Sequence, residues 1–85
     1  MLNKDYIIED VCDEINKQDQ KWGSDRDLDY FQWCAILMEE VGEFSQAALH
    51  TKFGDKESGR MYQELIQVIA VGMQIANNLV LNVEN

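Results

Sequence analysis

The segment from about Glu57 to Leu81 constrains the fold most strongly, because it has a helical pattern and is apolar nearly all round. Its apolar residues cover most directions around the axis: Met61, Leu65, Ile66, Val68, Ile69, Val71, Ile75, Leu79 and Val80. Such a helix has to be buried on several sides. The rest of an 85-residue chain is too small to wrap it, since a domain of this size buries only roughly 60% of its unfolded surface. We therefore expect a homodimer or homotetramer.

Two further helices are predicted before this segment. Apolar residues at spacings of three and four indicate a first helix from about Lys4 to Lys21, with Cys12 as a small core residue. A second helix is predicted from about Tyr30 to Lys52, with Asp29 as its N-cap and Gln32 completing a capping box. No segment has the alternation of a strand, so the predicted fold class is all-α, a small bundle of three main helices completed by oligomerisation.

The charge of the chain limits its partners. Sixteen acidic residues against seven basic ones give a formal net charge of −9, which argues against nucleic acid and against an anionic membrane surface as partners. No apolar run reaches the roughly 18 residues of a membrane span, and the N-terminus turns acidic too early for a secretory signal. We expect a single domain, residues 1–85, in the cytoplasm.

Several carboxylates are predicted to point inward. At about 100° per residue, Glu40 falls inside the apolar arc of the second helix, Glu43 lies on its edge, and Glu39 is the outermost of the three. On the third helix Glu64 is also directed inward, with Gln67 beside it. An unpaired buried carboxylate costs several kcal/mol, so it takes up a proton or a cation.

A divalent cation is one solution to this burial. The second helix has no basic residue before His50 and Lys52, whereas Mg²⁺ prefers oxygen ligands and inward glutamates on adjacent helices commonly build metal sites. The alternative is a ring of glutamates hydrogen-bonded to Trp, Tyr and Gln, or a site at a polar edge. A di-iron centre is disfavoured because the only histidine has Ala47, not glutamate, three residues before it. No nucleophilic triad or phosphate-binding glycine loop can be assembled.

The run Ile36–Ala47, I-L-M-E-E-V-G-E-F-S-Q-A, resembles the E-E-x-x-E signature of the MazG family, which belongs to the all-α nucleoside triphosphate pyrophosphohydrolases. Glu64–Gln67, E-L-I-Q, stands where that family has E-x-x-D, after a gap of twenty residues. The segments Q-K-W-G at 20–23 and Q-V-I-A-V at 67–71 strengthen the likeness to a small MazG-like branch of phages and bacteria. The resemblance covers roughly residues 15–78.

The resemblance implies a metal site and a reaction. Glu40, Glu43, Glu64 and Gln67 would hold one or two Mg²⁺ or Mn²⁺ ions, and Glu39 would be a further ligand or an outer group. Glu39 or Glu43 would orient or deprotonate the attacking water as the catalytic carboxylate, so that a nucleoside triphosphate yields a monophosphate and pyrophosphate. Gln67 replaces the aspartate of the family, and its uncharged amide binds a metal ion more weakly.

Substrate contacts are assigned by residue type. The candidates are Lys21, Trp22, Trp33, Lys52, Arg60 and Asn78. The basic side chains near helix ends suit phosphate oxygens, although solvated surface lysines are the more common explanation for such residues, and the tryptophans suit a base. Trp33 lies near the apolar centre of its helix and fits the core better than a substrate pocket. The alternative function is an acidic helical binding or regulatory protein, for instance phage-encoded, that keeps the bundle without the chemistry.

Overall fold

The computed structural model, which describes residues 1–54 and 60–83, contains three α-helices. They are α1, Lys4–Trp22, α2, Tyr30–Lys52, and α3, Arg60–Val83. The described ranges contain no strand, which confirms the all-α class and the three main helices. The bounds of α2 agree with the prediction, whereas the predicted start of the third helix at Glu57 lies outside the described residues.

Local signals fix where α1 ends and where α2 begins. Asp29 Oδ1 accepts a hydrogen bond from the Gln32 backbone N–H at 2.8 Å, and Gln32 Oε1 accepts one from the Asp29 N–H at 2.9 Å. This confirms the predicted capping box, which satisfies two N–H groups at the start of a helix. At the end of α1, Gly23 has φ +89° and donates to the Asp19 carbonyl at 2.7 Å, a conformation that glycine adopts without steric cost.

The third helix lies between the other two. In the described part of the chain α3 packs against both α1 and α2, whereas α1 and α2 are not in contact with each other. Val11 of α1 forms a buried cluster with Ile66 and Ala70 of α3. On the other side, Trp33 and Ala47 of α2 are buried. The arrangement leaves a groove along α3, bounded by α1 on one side and α2 on the other.

Cys12 lies outside the core, so its sequence assignment was wrong. The thiol is exposed, although Val11, the residue before it, is buried. Because α1 packs against α3 alone among the described helices, its buried stripe is narrow, and a residue 100° away from the centre of that stripe faces solvent.

The predicted need for a partner remains a prediction. Much of the apolar surface of α3 is exposed, at Leu65, Met73, Leu79, Val80 and Leu81. The stretch Arg60–Asn82 is also long and apolar enough to cross a membrane by length and composition. One such helix is a weak indication of a span, because the central helix of a soluble bundle passes the same test. Covering this surface requires a second copy or another apolar environment.

Candidate metal centre

Three glutamates from two helices converge where α2 meets α3. One carboxylate oxygen from each of Glu40, Glu43 and Glu64 lies within 4.8 Å of the other two. Glu64 is only 4% exposed, Glu40 is partly buried, and Glu43 is exposed. The inward phase of Glu40 and Glu64 in the sequence therefore matches the packing. The cluster has a buried inner end and an outer end that solvent and ligands can reach.

The buried glutamate has a cationic partner on its own helix. Arg60 Nη2 donates to Glu64 Oε1 at 2.8 Å, one helical turn away. From its residue type Arg60 was predicted to contact substrate phosphate, and no basic residue on α2 before His50 was close enough in sequence to neutralise the glutamates. The signal for this pair was the spacing of four residues, at which opposite charges on a helix are neighbours. One of the two Glu64 oxygens is thus paired without a metal ion.

Gln67 touches the cluster at its centre. With the amide nitrogen directed toward the carboxylates, it donates to Glu40 Oε2 at 2.8 Å and to Glu64 Oε2 at 3.3 Å. With the amide turned by 180°, its oxygen faces the same two carboxylates. The first orientation stabilises the cluster by hydrogen bonds, whereas the second turns a further oxygen toward the carboxylates, so that a proton on one carboxyl group or a bound cation has to hold the oxygens together. Gln67 can therefore donate hydrogen bonds to the metal-free cluster or turn its oxygen toward a bound cation.

The environment raises the pKa of Glu40 from 4.5 to about 7. Burial is the largest cause, followed by the charge of Glu43 and a hydrogen bond with it, and then by the charges of Glu64 and Glu39. Like charges and desolvation both disfavour the ionised carboxylate. Near neutral pH, Glu40 either shares a proton with Glu43 or has its charge balanced by a cation.

The donor set fits a hard divalent cation. Three carboxylates and one amide oxygen are the ligand types that Mg²⁺ and Mn²⁺ prefer. Opposite ligands of Mg²⁺ are about 4.2 Å apart, given metal–oxygen bonds of about 2.1 Å, while the oxygens of this cluster lie within 4.8 Å of one another. Small side-chain rotations close that difference. The exposed side of Glu43 leaves room for water and substrate oxygens.

Two predicted site residues lie away from the cluster. Glu39 is exposed and acts on the cluster through its charge, as one of the causes that raise the pKa of Glu40. Lys52 is the last residue of α2, and the nine residues that separate it from Glu43 correspond to about 13 Å along the helix axis. The structure does not bring it to the carboxylates.

Two other candidates share a cavity with the cluster. A space of about 190 Å³ is lined by Lys21 and Trp22 of α1 together with Glu40 and Gln67. The ammonium of Lys21 lies 4.9 Å from the centre of the Trp22 ring. Two cations that were not predicted as site residues, Lys17 and Arg26, line the same space. Lys17 was detectable, since it precedes Lys21 by four residues and so lies on the same face of α1.

The remaining two candidates lie in a separate part of the groove. Trp33 is buried, as its apolar position indicated. Together with Asn78 it lines a larger cavity, of about 480 Å³, toward the C-terminal end of α3. The six substrate candidates therefore divide into four groups: Lys21 and Trp22 near the glutamates, Arg60 paired with Glu64, Lys52 at a distance, and Trp33 with Asn78 in the larger cavity.

Comparison with protein-family models, with curated proteins and with solved structures finds no match for this chain.

Proposed function

We propose that the protein is a metal-dependent nucleotide pyrophosphohydrolase that uses Mg²⁺ or Mn²⁺ to convert nucleoside triphosphates to monophosphates and pyrophosphate in the cytoplasm. The observation that carries the proposal is the convergence of Glu40, Glu43 and Glu64 within 4.8 Å, with the amide of Gln67 in contact with two of them. The resemblance of E-E-x-x-E and E-L-I-Q to the MazG signatures supports the same reaction.

The residues of the chain have distinct roles in this proposal. Glu40, Glu64 and Gln67 would hold the cation from the buried side, and Glu43 would complete the ligand set from the exposed side. A divalent ion held there would supply Lewis acidity for the attacking water and balance charge on the phosphates. Glu43, being accessible, would orient the attacking water or accept its proton, while Glu39 would add negative charge at the rim. Hydrolysis breaks the anhydride between the α and β phosphates.

The basic wall opposite the glutamates supports a phosphate-bearing substrate. Lys17, Lys21 and Arg26 line the cavity that also contains Glu14, Glu40 and Gln67. A polyphosphate that bridges a divalent cation on one side and the ammonium groups of Lys17 and Lys21 on the other is attracted to both. A chain of net charge −9 otherwise repels such a substrate, so these lysines support the groove as the approach.

We include a homodimer or homotetramer in the proposal. The exposed apolar residues of α3 and the exposed aromatic side chains Tyr30 and Phe31 at the start of α2 give a second copy apolar surface to cover. Sedimentation equilibrium measures this state directly. A monomer at micromolar concentration would show that the surface has another use.

A second function is favoured by one observation. Arg60 bonded to Glu64, together with Gln67 donating to Glu40 and Glu64, satisfies much of the cluster without metal. A protein that has lost the chemistry would keep these bonds and act as an acidic helical regulator of another protein. Metal binding separates the two functions.

The test is a thermal titration with Mg²⁺ and with Mn²⁺. Wild type is compared with Glu40→Ala and with the matched control Glu39→Ala, which removes an exposed acid one residue away. Saturation at about 100 times Kd stabilises wild type by about 2.7 kcal/mol, which raises Tm by roughly 10–20 °C in a domain of this size. Glu39→Ala should retain most of the shift and Glu40→Ala should lose it.

Activity is measured as pyrophosphate release from a panel of ribonucleotides and deoxyribonucleotides. We expect release from wild type in the presence of metal, and a loss on the order of 100-fold or more in Glu64→Gln. Absence of both the thermal shift and pyrophosphate release would reject the enzymatic function and favour the regulator.

A further inference from the structure

The larger cavity of the groove has the composition of a site for a neutral, hydrogen-bonding molecule. It measures about 480 Å³, within the range of about 300–1,000 Å³ that is usual for small-molecule sites. Three amide side chains of α3 line it, Gln74, Asn77 and Asn78, and Ile15 and Met73 supply apolar walls. Gln74 already donates to Gln18 and accepts from Arg26, so Asn77 and Asn78 are the amides that can offer donors and acceptors to the edge of a heterocyclic base.

The charges of this cavity exclude a polyphosphate from it. Asp19 and Asp25 line the cavity together with a single cation, Arg26. The guanidinium of Arg26 is already engaged, since it donates to the side-chain oxygen of Gln74 and its central carbon lies 5.1 Å from the centre of the Trp33 ring. Carboxylates accept hydrogen bonds from sugar hydroxyls or base amino groups and repel phosphate. The phosphates of a nucleotide must lie elsewhere.

Trp33 supplies a second and independent observation. Its side chain lines the cavity, is only 4% exposed, and has a buried indole N–H with no hydrogen-bond partner among the described residues. Most buried N–H groups in proteins are paired, and an orphan needs an explanation. An acceptor atom of a ligand in the cavity would satisfy it after a small movement of the ring.

The cavity adjoins the smaller one that contains Glu40 and Gln67. Arg26 lines both this cavity and the smaller one that contains Glu40 and Gln67. Along α3, Gln74 follows Gln67 by seven residues, which corresponds to about 10 Å. A molecule with a neutral heterocycle at one end and phosphates at the other can therefore occupy both spaces at once.

We propose that the cavity lined by Gln74, Asn77 and Asn78, the nucleoside cavity, holds the nucleoside of the substrate and determines which base is accepted. The base edge meets the amides of Asn77 and Asn78, the indole N–H of Trp33 donates to the ligand, and the phosphates pass Arg26 toward the glutamates. The placement of the phosphates rests on the proposed function, whereas the binding of a nucleoside does not.

The binding test follows the indole N–H resonance of Trp33 in ¹⁵N-labelled protein, assigned with Trp22→Phe. The probes are uncharged adenosine, guanosine, cytidine, uridine and thymidine, and separately tripolyphosphate with Mg²⁺. We expect at least one nucleoside to shift the Trp33 resonance, and tripolyphosphate to shift the side-chain amide of Gln67 while leaving Trp33 unmoved. If no nucleoside moves Trp33, the proposal is overturned.

The specificity test uses Asn77→Leu and Asn78→Leu, with Asn16→Leu on the exposed side of α1 as the matched control. Lost base contacts should raise KM for the preferred nucleotide roughly 5- to 100-fold and change the ranking of bases. Asn77→Leu and Asn78→Leu should keep the affinity for Mg²⁺ and the thermal shift that it causes. The control Asn16→Leu should match wild type in every assay. An equal effect on every nucleotide, or none, would contradict base recognition here.

The two failures are distinguishable. A Trp33 shift with nucleosides but no pyrophosphate release from any nucleotide would reject the reaction and leave the nucleoside cavity standing. Pyrophosphate release with an unmoved Trp33 and unaltered base ranking in both asparagine variants would reject the cavity and leave the reaction standing.

Discussion

The two interfaces of α3 differ in what they bury. Against α1, α3 buries an apolar cluster of Val11, Ile66 and Ala70, with Ile7, Ile15 and Ile69 packed around it. Against α2, it buries Glu64 beside apolar residues, with Glu40 partly buried opposite. In the first interface, every apolar residue that is removed from water stabilises the folded chain. The second contains carboxylates whose burial is unfavourable unless a proton, an arginine or a metal ion balances them.

This difference separates stability from function within one helix. The apolar residues of α3 that pack against α1, Ile66, Ile69 and Ala70, should affect folding with no effect on metal binding, because none of them belongs to the glutamate cluster. Residues that face α2 should change stability in a way that depends on pH and on divalent metal. The repulsion among the glutamates destabilises the metal-free chain. A divalent ion that relieves this repulsion therefore binds more favourably and stabilises the folded chain.

Truncation in the apolar interface should have the largest effect on stability. We expect Ile66→Ala to lower the free energy of unfolding by about 2–4 kcal/mol, through lost burial and the cavity left behind. Urea denaturation at fixed protein concentration measures it. The stabilisation by Mg²⁺ should equal that of wild type. A reduced metal response would show that the two interfaces are coupled.

Removal of the arginine at the mixed interface should have the next largest effect. Arg60→Ala leaves the buried Glu64 carboxylate without the donor 2.8 Å away. We expect the metal-free protein to lose about 1–3 kcal/mol, toward the lower end because the guanidinium is largely exposed. Mg²⁺ should then stabilise the variant more than wild type, since the ion replaces the lost positive charge.

Thermal melts with and without Mg²⁺ provide the comparison, and Lys52→Ala, at the end of α2, is the matched loss of one cation. Equal stabilisation of wild type and Arg60→Ala by Mg²⁺ would mean that the arginine and the ion do not act on the same carboxylate.

Neutralisation of Glu40 should stabilise the metal-free protein in a pH-dependent way. Its pKa of about 7 in the folded chain lies above the value of 4.5 expected when unfolded. Below pH 4.5 the Glu40 carboxyl is protonated in both the folded and the unfolded protein, so it does not change the free energy of unfolding. Its destabilising contribution grows from pH 4.5 to 7 and is complete above pH 7. Glu40→Gln should thus match wild type at pH 4 and exceed it at pH 8 by about 1–2 kcal/mol, a value reduced for solvent screening.

Denaturation at pH 4, 6 and 8 in the presence of a chelator tests this dependence, with Glu39→Gln as the control. A constant difference between wild type and Glu40→Gln over that range would contradict a raised pKa. With Mg²⁺ present the order should reverse at pH 8, because the variant has lost a charged ligand.

Helical phase was enough to predict part of the site. The angle of Glu40 and Glu64 relative to the apolar residues of their own helices indicated that both point inward, and the structure places their carboxylates together. The capping box at Asp29 was equally local. These features depend on residues within one or two turns, so the sequence contains the information for them.

The neighbours of each helix were not predictable in the same way. The phase of α1 did not reveal that, within residues 1–54 and 60–83, it contacts α3 alone, and Cys12 was therefore assigned to a core that does not extend to it. Arg26 lies in the connection between α1 and α2, where no periodicity exists, so its position over Trp33 follows only from tertiary packing. Trp33 and Asn78 were predicted as substrate contacts from their residue types, but the cavity that they share with Asn77 also follows only from tertiary packing.

The smallest expected effect concerns a single hydrogen bond at the exposed edge of the interface between α1 and α3. Tyr62 of α3 donates to Asp10 Oδ2 of α1 at 2.6 Å, and this hydrogen bond is the main cause that raises the pKa of Tyr62 from 10 to about 12. The carboxylate favours the protonated phenol, so the bond is intact below pH 10 and is lost as the pH rises through 12.

Absorbance at 295 nm should show the late titration of Tyr62. In Asp10→Asn that tyrosine should titrate nearer 10, while Asp13→Asn serves as the matched control on the same helix. If α1 were displaced from α3 in solution, wild type and Asp10→Asn would titrate alike, and the separation between a stabilising and a functional interface would lose its structural basis.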